Sequence, residues 1–231
     1  MKYSQELAHN YSANRSEYND TDPVLFAELE AVGLVGKRII DMGCGDGSHA
    51  LWLAEKGACQ VIGADLNEPM IALAKEKASQ QANVNFLLAD GSKLPIASKT
   101  MDVVVSNYVI HYFPQAVHIF NEISRLLKDD GYFIGTFNLT DVEEGFEHLY
   151  NQAMPIRLQH SHGSVLINNL IKPRSEIVQA IAHSALIVLK ELEINNLHSV
   201  VDESYPYKNY IKKQSVLMVL QRAKRSTQSS P

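Results

Sequence analysis

The sequence predicts an α/β fold, an open parallel sheet wound with helices on both faces. Three observations carry this. Short strand-like runs at residues 37–40, 59–64, 84–89, 101–106 and 132–137 alternate with helix-period segments, the pattern of strand–helix–strand units. Gly43, Gly45 and Gly47 follow the first run and open onto an amphipathic helix. Three of the runs end in an acid: Asp41, Asp65 and Asp90.

With 231 residues the chain can build one such domain around a substantial core. Its 45% hydrophobic and 20% charged residues are ordinary for a globular protein. Acids outnumber bases by 26 to 21, so the overall charge gives no footprint for nucleic acid or an anionic membrane surface. Cys44 and Cys59 make neither a disulfide framework nor a metal site, and Cys44 reads as a small residue filling the turn. There is no apolar leader at the N-terminus and no run near the ~18 residues needed to span a bilayer. The expectation is a cytoplasmic protein.

Residues 1–36 are polar, with a helix start at Asp22-Pro23 followed by Val24, Leu25, Leu29 and Val32 at helical spacing. After the first strand, Ser48 is suited to cap a helix with Ala50, Leu51, Leu53 and Ala54 on its apolar side, and Gly57 to end it. The second strand ends in Asp65, 18 residues beyond Gly47, where a carboxylate can accept from both hydroxyls of a ribose. Asn67 and Pro69 then start a helix with Met70, Ile71, Leu73 and Ala74 inward. The third strand ends in Asp90-Gly91, which reads either as a simple turn or as an acid facing a ligand.

A nucleotide-type ligand is implied, and the spacing chooses among them. The dinucleotide fingerprint G-x-G-x-x-G is not met, because the third glycine falls one residue early. Asp41 would repel a pyrophosphate but suits a ligand bearing an ammonium and a sulfonium. The turn Asp41-x-Gly43-x-Gly45-x-Gly47, with Asp65, Asp90, Leu94-Pro95, Asp102 to Asn107, Leu126-Leu127-Lys128 and Gly131 in order, resembles the class I S-adenosylmethionine-dependent methyltransferases. The resemblance spans about residues 10–222. It implies a Rossmann-like, doubly wound seven-stranded sheet, mostly parallel with an antiparallel last strand. It also implies S-adenosylmethionine as cofactor, S-adenosylhomocysteine as product, and no metal.

On this resemblance Asp41, Gly43, Gly45, Asp65, Leu66, Met70, Asp90, Gly91 and Asn107 hold the cofactor, with Leu66 and Met70 near the adenine and Asp90 on its amino group. Residues 1–36 resemble a helical lid, and Tyr18 is preferred to Tyr11 as a cofactor contact because it lies nearer the helix leading into the glycine turn. An N-terminal helix merely packed on the domain is the other reading. The stretch after the fourth strand lacks the Asn/Asp-Pro-Pro-aromatic motif of base-amine and glutamine methyltransferases. Its His111 is a candidate general base, set against a structural role.

Pro114 opens a helix with Ile119, Phe120, Ile123 and Leu126 inward, and Asp130-Gly131 leads to the fifth strand. Periodicity is then poor over residues 138–173, an insertion within a methyltransferase domain at 37–222 where a substrate pocket would be built. His160 is a second candidate base there. His160 and His162 lack the third ligand a metal requires. Ser175 and Glu176 begin a further helix, residues 186–192 and 215–220 are the last strands, Tyr205, Tyr207 and Tyr210 are placed on the pocket, and 223–231 read as a disordered tail. The favoured acceptor is a small molecule. A protein or tRNA acceptor, or a non-catalytic S-adenosylmethionine-binding protein, are the rivals.

Overall fold

The computed structural model describes residues 4–18, 22–161, 163–194 and 199–223, excluding the side chains of Glu17 and Tyr18. The strands in chain order are β1 (Arg38–Met42), β2 (Gln60–Asp65), β3 (Val84–Leu88), β4 (Met101–Asn107), β5 (Leu127–Val142), β6 (Ala153–His160), β7 (Gly163–Leu170), β8 (Leu186–Ile194), β9 (Ser199–Val201) and β10 (Ile211–Arg222). The helices are α1 (Gln5–Ala13), α2 (Arg15–Tyr18), α3 (Asp22–Ala31), α4 (Ser48–Glu55), α5 (Glu68–Lys77), α6 (Ala116–Leu126) and α7 (Arg174–Ala182). None of these is long and apolar enough to cross a membrane.

The main sheet has the order β3-β2-β1-β4-β5-β10-β8. Its first five strands pair in parallel, and β10 runs antiparallel to both β5 and β8. This is the seven-stranded, mostly parallel sheet that the resemblance implies. The near-continuous apolar runs follow from burial on both faces. Ile40, Val104, Phe133 and Phe137 pack against α6 and α7. Ile39, Val103, Val105 and Ile134 pack against α3, α4 and α5. Each such side chain contributes about 1.5–3 kcal/mol, so the strand tips are held firmly where the order reverses between β1 and β4, the usual binding crevice of such sheets.

Several details differ from the sequence expectations, beginning with α4 and β5. Ser48 does not cap α4: Gly47 is the N-cap, and Asp46 Oδ1 accepts instead from the Ser48 N–H at 3.2 Å and hydroxyl at 2.8 Å. The fifth strand does not stop at Phe137 but runs to Val142, paired with β10 from Tyr132 onward. Its even positions turn polar at Thr136, Asn138 and Thr140, which hides the alternation while the backbone ladder continues.

Within residues 138–173 the chain forms the β6–β7 hairpin, which with β9 makes a second, three-stranded sheet ordered β7-β6-β9. Met154, Ile156, Leu158, Val165 and Ile167 face inward from it, with Leu7 and Tyr11 of α1 packed against the same cluster. Tyr205, Tyr207 and Tyr210 do not line the cavity described below. They gather round Phe146, whose ring stacks on Tyr210 at 4.1 Å. His162 and the tail from residue 224 lie outside the described residues.

Candidate active site

The glycine turn is drawn onto β2 by two backbone bonds, Gly43 N–H and Cys44 N–H to the Ala64 carbonyl at 2.7 and 3.0 Å. Gly45 N–H donates to Asp65 Oδ2 at 3.0 Å, and Asp65 Oδ1 accepts from the Asn67 N–H and Nδ2 at 2.8 and 3.1 Å. Asp65 is therefore fixed by three donors, which spends the Asn67 side chain on Asp65 rather than on capping α5. A Cβ on Gly45 would meet nothing within 4 Å, since this glycine borders open space.

That space is a cavity of about 280 Å³ at the carboxyl ends of the parallel strands. Of the residues expected from the sequence, Gly43, Gly45, Asp65, Leu66, Met70, Asp90, Gly91, Asn107 and His111 all line it. Leu66 is half exposed while Met70 is buried, so the two offer an apolar edge to a flat group. Asp90 is exposed, and its Oδ1 accepts from the N–H and hydroxyl of Ser92, so the simple turn is present as well. Thr136 donates its hydroxyl to Asn107 Oδ1, which fixes that side chain at the tip of β4. Asp41 lies beside the turn, outside the lining residues. His160, at the end of β6 opposite Gly163, is also outside them. The Tyr18 side chain lies outside the described residues.

Asp41 is 1% exposed, and neither carboxylate oxygen has a hydrogen-bond partner. Burial pushes its carboxyl up to about 6, against the lowering influence of His49 and Arg15. An unsatisfied buried acid of this kind costs free energy until a donor or cation meets it. Gly45's open side, the fixed Asp65 and the orphaned Asp41 together fit a ligand with an ammonium and vicinal hydroxyls. Among the described residues no cluster of three or more His, Cys, Asp or Glu could hold a metal ion.

His111 is buried, and its Nδ1 accepts from the Asn138 N–H at 3.3 Å, which puts the ring proton on Nε2. Burial, followed by the charge of Lys213, lowers it to about 3; the Asn169 amide pulls the other way, although its Oδ1 meets no donor in hydrogen-bond geometry. The imidazole is thus neutral at physiological pH and a weak base.

Sequence reasoning passed over several lining residues. Tyr11, not chosen ahead of Tyr18, borders the cavity from α1. Asn169 and Ser199 border it from the small sheet. Asn169 occupies an inward position in line with Val165 and Ile167, a polar residue on an apolar face, a signal visible only once β7 is recognised as a strand. Asp46 was also missed. It is 2% exposed and ties the mouth together by accepting from Ser12 of α1 at 2.6 Å and from Lys77 of α5.

Residues 40–135 match the family model described as a methyltransferase domain. A malonyl-[acyl-carrier protein] O-methyltransferase from Legionella pneumophila is 28% identical over 139 residues, 57% of this chain and 49% of that protein. A demethylmenaquinone methyltransferase from Lactococcus lactis is 31% identical over 130 residues, 53% of this chain and 52% of its own. The chain spans about half the length of these curated relatives. Among solved structures, geranyl diphosphate C-methyltransferase from Streptomyces coelicolor superposes with a TM-score of 0.67 at 16% identity, covering 87% of this chain and 77% of that one, a likeness of fold.

Proposed function

We propose that this chain, which carries a class I S-adenosylmethionine-dependent methyltransferase domain, transfers a methyl group to a small organic acceptor held in the cavity between the main and small sheets. The observation that carries this is a cavity lined by Gly43, Gly45, Asp65 and Asp90, with the buried, unpartnered Asp41 carboxylate behind the glycine turn. S-adenosylmethionine, when bound, supplies an electrophilic methyl group on a sulfonium that is already a good leaving group.

In this reading Asp41 receives the cofactor's ammonium, Asp65 its ribose hydroxyls and Asp90 its adenine amine, while Leu66 and Met70 flank the base. Gly45 lets the backbone approach the ligand closely, Gly43 and Gly91 line the same cavity while making room for Val109 and Phe113, and Asn107 faces the methionine part. The acceptor's carbon body lies against Phe113, Leu158 and Ile167. The chain's contribution is to orient the acceptor and exclude water, which suffices when the leaving group is already activated. His111, neutral down to about 3, serves as a fixed hydrogen-bonding group that positions the acceptor. It does not act as the base at neutral pH. His160, outside the cavity lining, has no part in the step. The names of the relatives, which act on an acyl-carrier-borne acid and on a quinone precursor, support a small organic acceptor.

Calorimetric titration with S-adenosylmethionine tests the reading. Asp65→Ala should weaken binding by about tenfold or more, the loss of charge-assisted hydrogen bonds. Unaltered affinity in that variant counts against the assignment. Labelled cofactor incubated with fractionated cell extract should then mark a small-molecule fraction; label confined to protein or RNA would overturn the acceptor class.

A further inference from the structure

The cavity is polarised along its length. The carboxylates that line it, Asp65 and Asp90, stand at the tips of β2 and β3. The wall made by the small sheet has none; there the lining is Leu158, Ile167, Asn169 and Ser199. Behind Ser199 stands Lys213 of β10, whose Nζ donates to the Ser199 Oγ at 2.9 Å. Among the described residues Lys213 has no ion-pair partner, and burial alone shifts its ammonium. Lys172, by contrast, is fully buried and saturated by the Pro114 carbonyl, Asn151 and Glu176. Burial lowers Lys213 to about 8, so it still carries its charge at neutral pH.

A serine that accepts from an ammonium directs its own proton to another acceptor. Ser199 is 6% exposed and borders the cavity, so that acceptor belongs to whatever fills it. Further along the same wall, on the other side of β6, the Asn169 Oδ1 is buried without a hydrogen bond and acts on His111. We infer that the end of the cavity walled by the small sheet recognises a singly charged acidic head group, of the carboxylate class, on the methyl acceptor, through Ser199 backed by Lys213. One ammonium without an ion-pair partner among the described residues matches one negative charge, which favours a carboxylate over a phosphate dianion. The flanking Leu158 and Ile167 favour an aliphatic body. The inference rests on the methyltransferase reading and names the substrate class of that same site.

The test uses the full chain and three probes, hexanoate, hexanamide and hexyl phosphate, titrated by ligand-observed NMR, with S-adenosylhomocysteine affinity measured calorimetrically alongside. Hexanoate should bind about tenfold or more tightly than hexanamide. Lys213→Met should abolish that preference and Lys213→Arg retain it, while S-adenosylhomocysteine affinity stays within about twofold in both. No preference for hexanoate in the wild-type chain, a preference that survives Lys213→Met, or tighter binding of hexyl phosphate would each overturn the assignment. The wild-type comparison needs no variant to fold. If S-adenosylhomocysteine fails to bind while the hexanoate preference holds, the methyltransferase reading falls and the acidic subsite stands. Cofactor binding without the preference sinks the subsite alone.

Discussion

Asp41 shows how a single buried group links stability to binding. Raising its carboxyl from 3.8 to about 6 corresponds to about 3 kcal/mol. The native state holds this proton more tightly than the unfolded chain, so the ligand-free protein loses that stabilisation as pH rises from about 4 to 6 and recovers none above it. Asp41→Asn should therefore flatten this stretch of the pH–stability curve in urea unfolding, and stabilise the ligand-free protein at neutral pH by up to about 3 kcal/mol. The same change should weaken S-adenosylmethionine, whose affinity for the wild-type chain should rise through pH 6 as Asp41 ionises. Calorimetry at two pH values checks both signs. Two glycines of the turn separate shape from binding. At Gly47 (φ +78°) an added Cβ would lie 2.7 Å from Phe86 Cζ and 2.9 Å from the Ala74 Cβ. Gly47→Ala should cost about 2–4 kcal/mol from left-handed strain and overpacking. At Gly45 (φ +53°) the Cβ enters open space. Gly45→Ala should cost only about 1–2 kcal/mol yet obstruct the cofactor, a contrast that melting and titration resolve.

At the scale of elements, α1 is strapped over the mouth by charge. Burial raises the Asp46 carboxyl, but hydrogen bonds from Lys77 and Ser12 outweigh this and hold it below its ordinary value. The stabilisation is present above the unfolded carboxyl's 3.8 and is lost as pH falls below it. Lys77→Ala should speed amide exchange in α1 by about tenfold at neutral pH while β1 and β4 stay protected. Equal exchange in the two proteins would show that the strap holds nothing. The same scale shows where the sequence could be read and where it could not. The β1–turn–α4 unit was legible because glycine spacing, strand periodicity and the acid at 41 agree with one another. The small sheet was not: Asn169 and Ser199 put polar residues on its inner face, and Pro155 blurs the strand signature of β6 although its backbone stays in register with Asn168. Tyr11 and Tyr18 are indistinguishable by composition, and only the packing of α1 on the β6–β7 cluster brings Tyr11 to the cavity.

At the scale of the whole molecule, the order of the main sheet was accessible through motif order, because each motif marks the tip of one parallel strand. The acceptor end depends on long-range pairing of β5 with β10, which local patterns do not record. A ligand bound to the native state alone stabilises it by mass action, about 2.7 kcal/mol at a hundredfold excess over its dissociation constant. S-adenosylhomocysteine at that excess should raise the melting temperature by about 5–10 °C for a chain of this size. An unshifted transition would mean that the native crevice does not take it up. The pairing of β5 with β10 also has a genetic consequence. Asn138 faces Ser215 and Thr140 faces Lys213 across that ladder, and sidedness along a strand alternates residue by residue. One inserted or deleted codon between Lys213 and Ser215 would turn Lys213 to the opposite side. Such a descendant would keep every residue of the glycine turn and lose the counter-ion at the far end, so that its methyl donor would be inherited while its choice of acceptor would not.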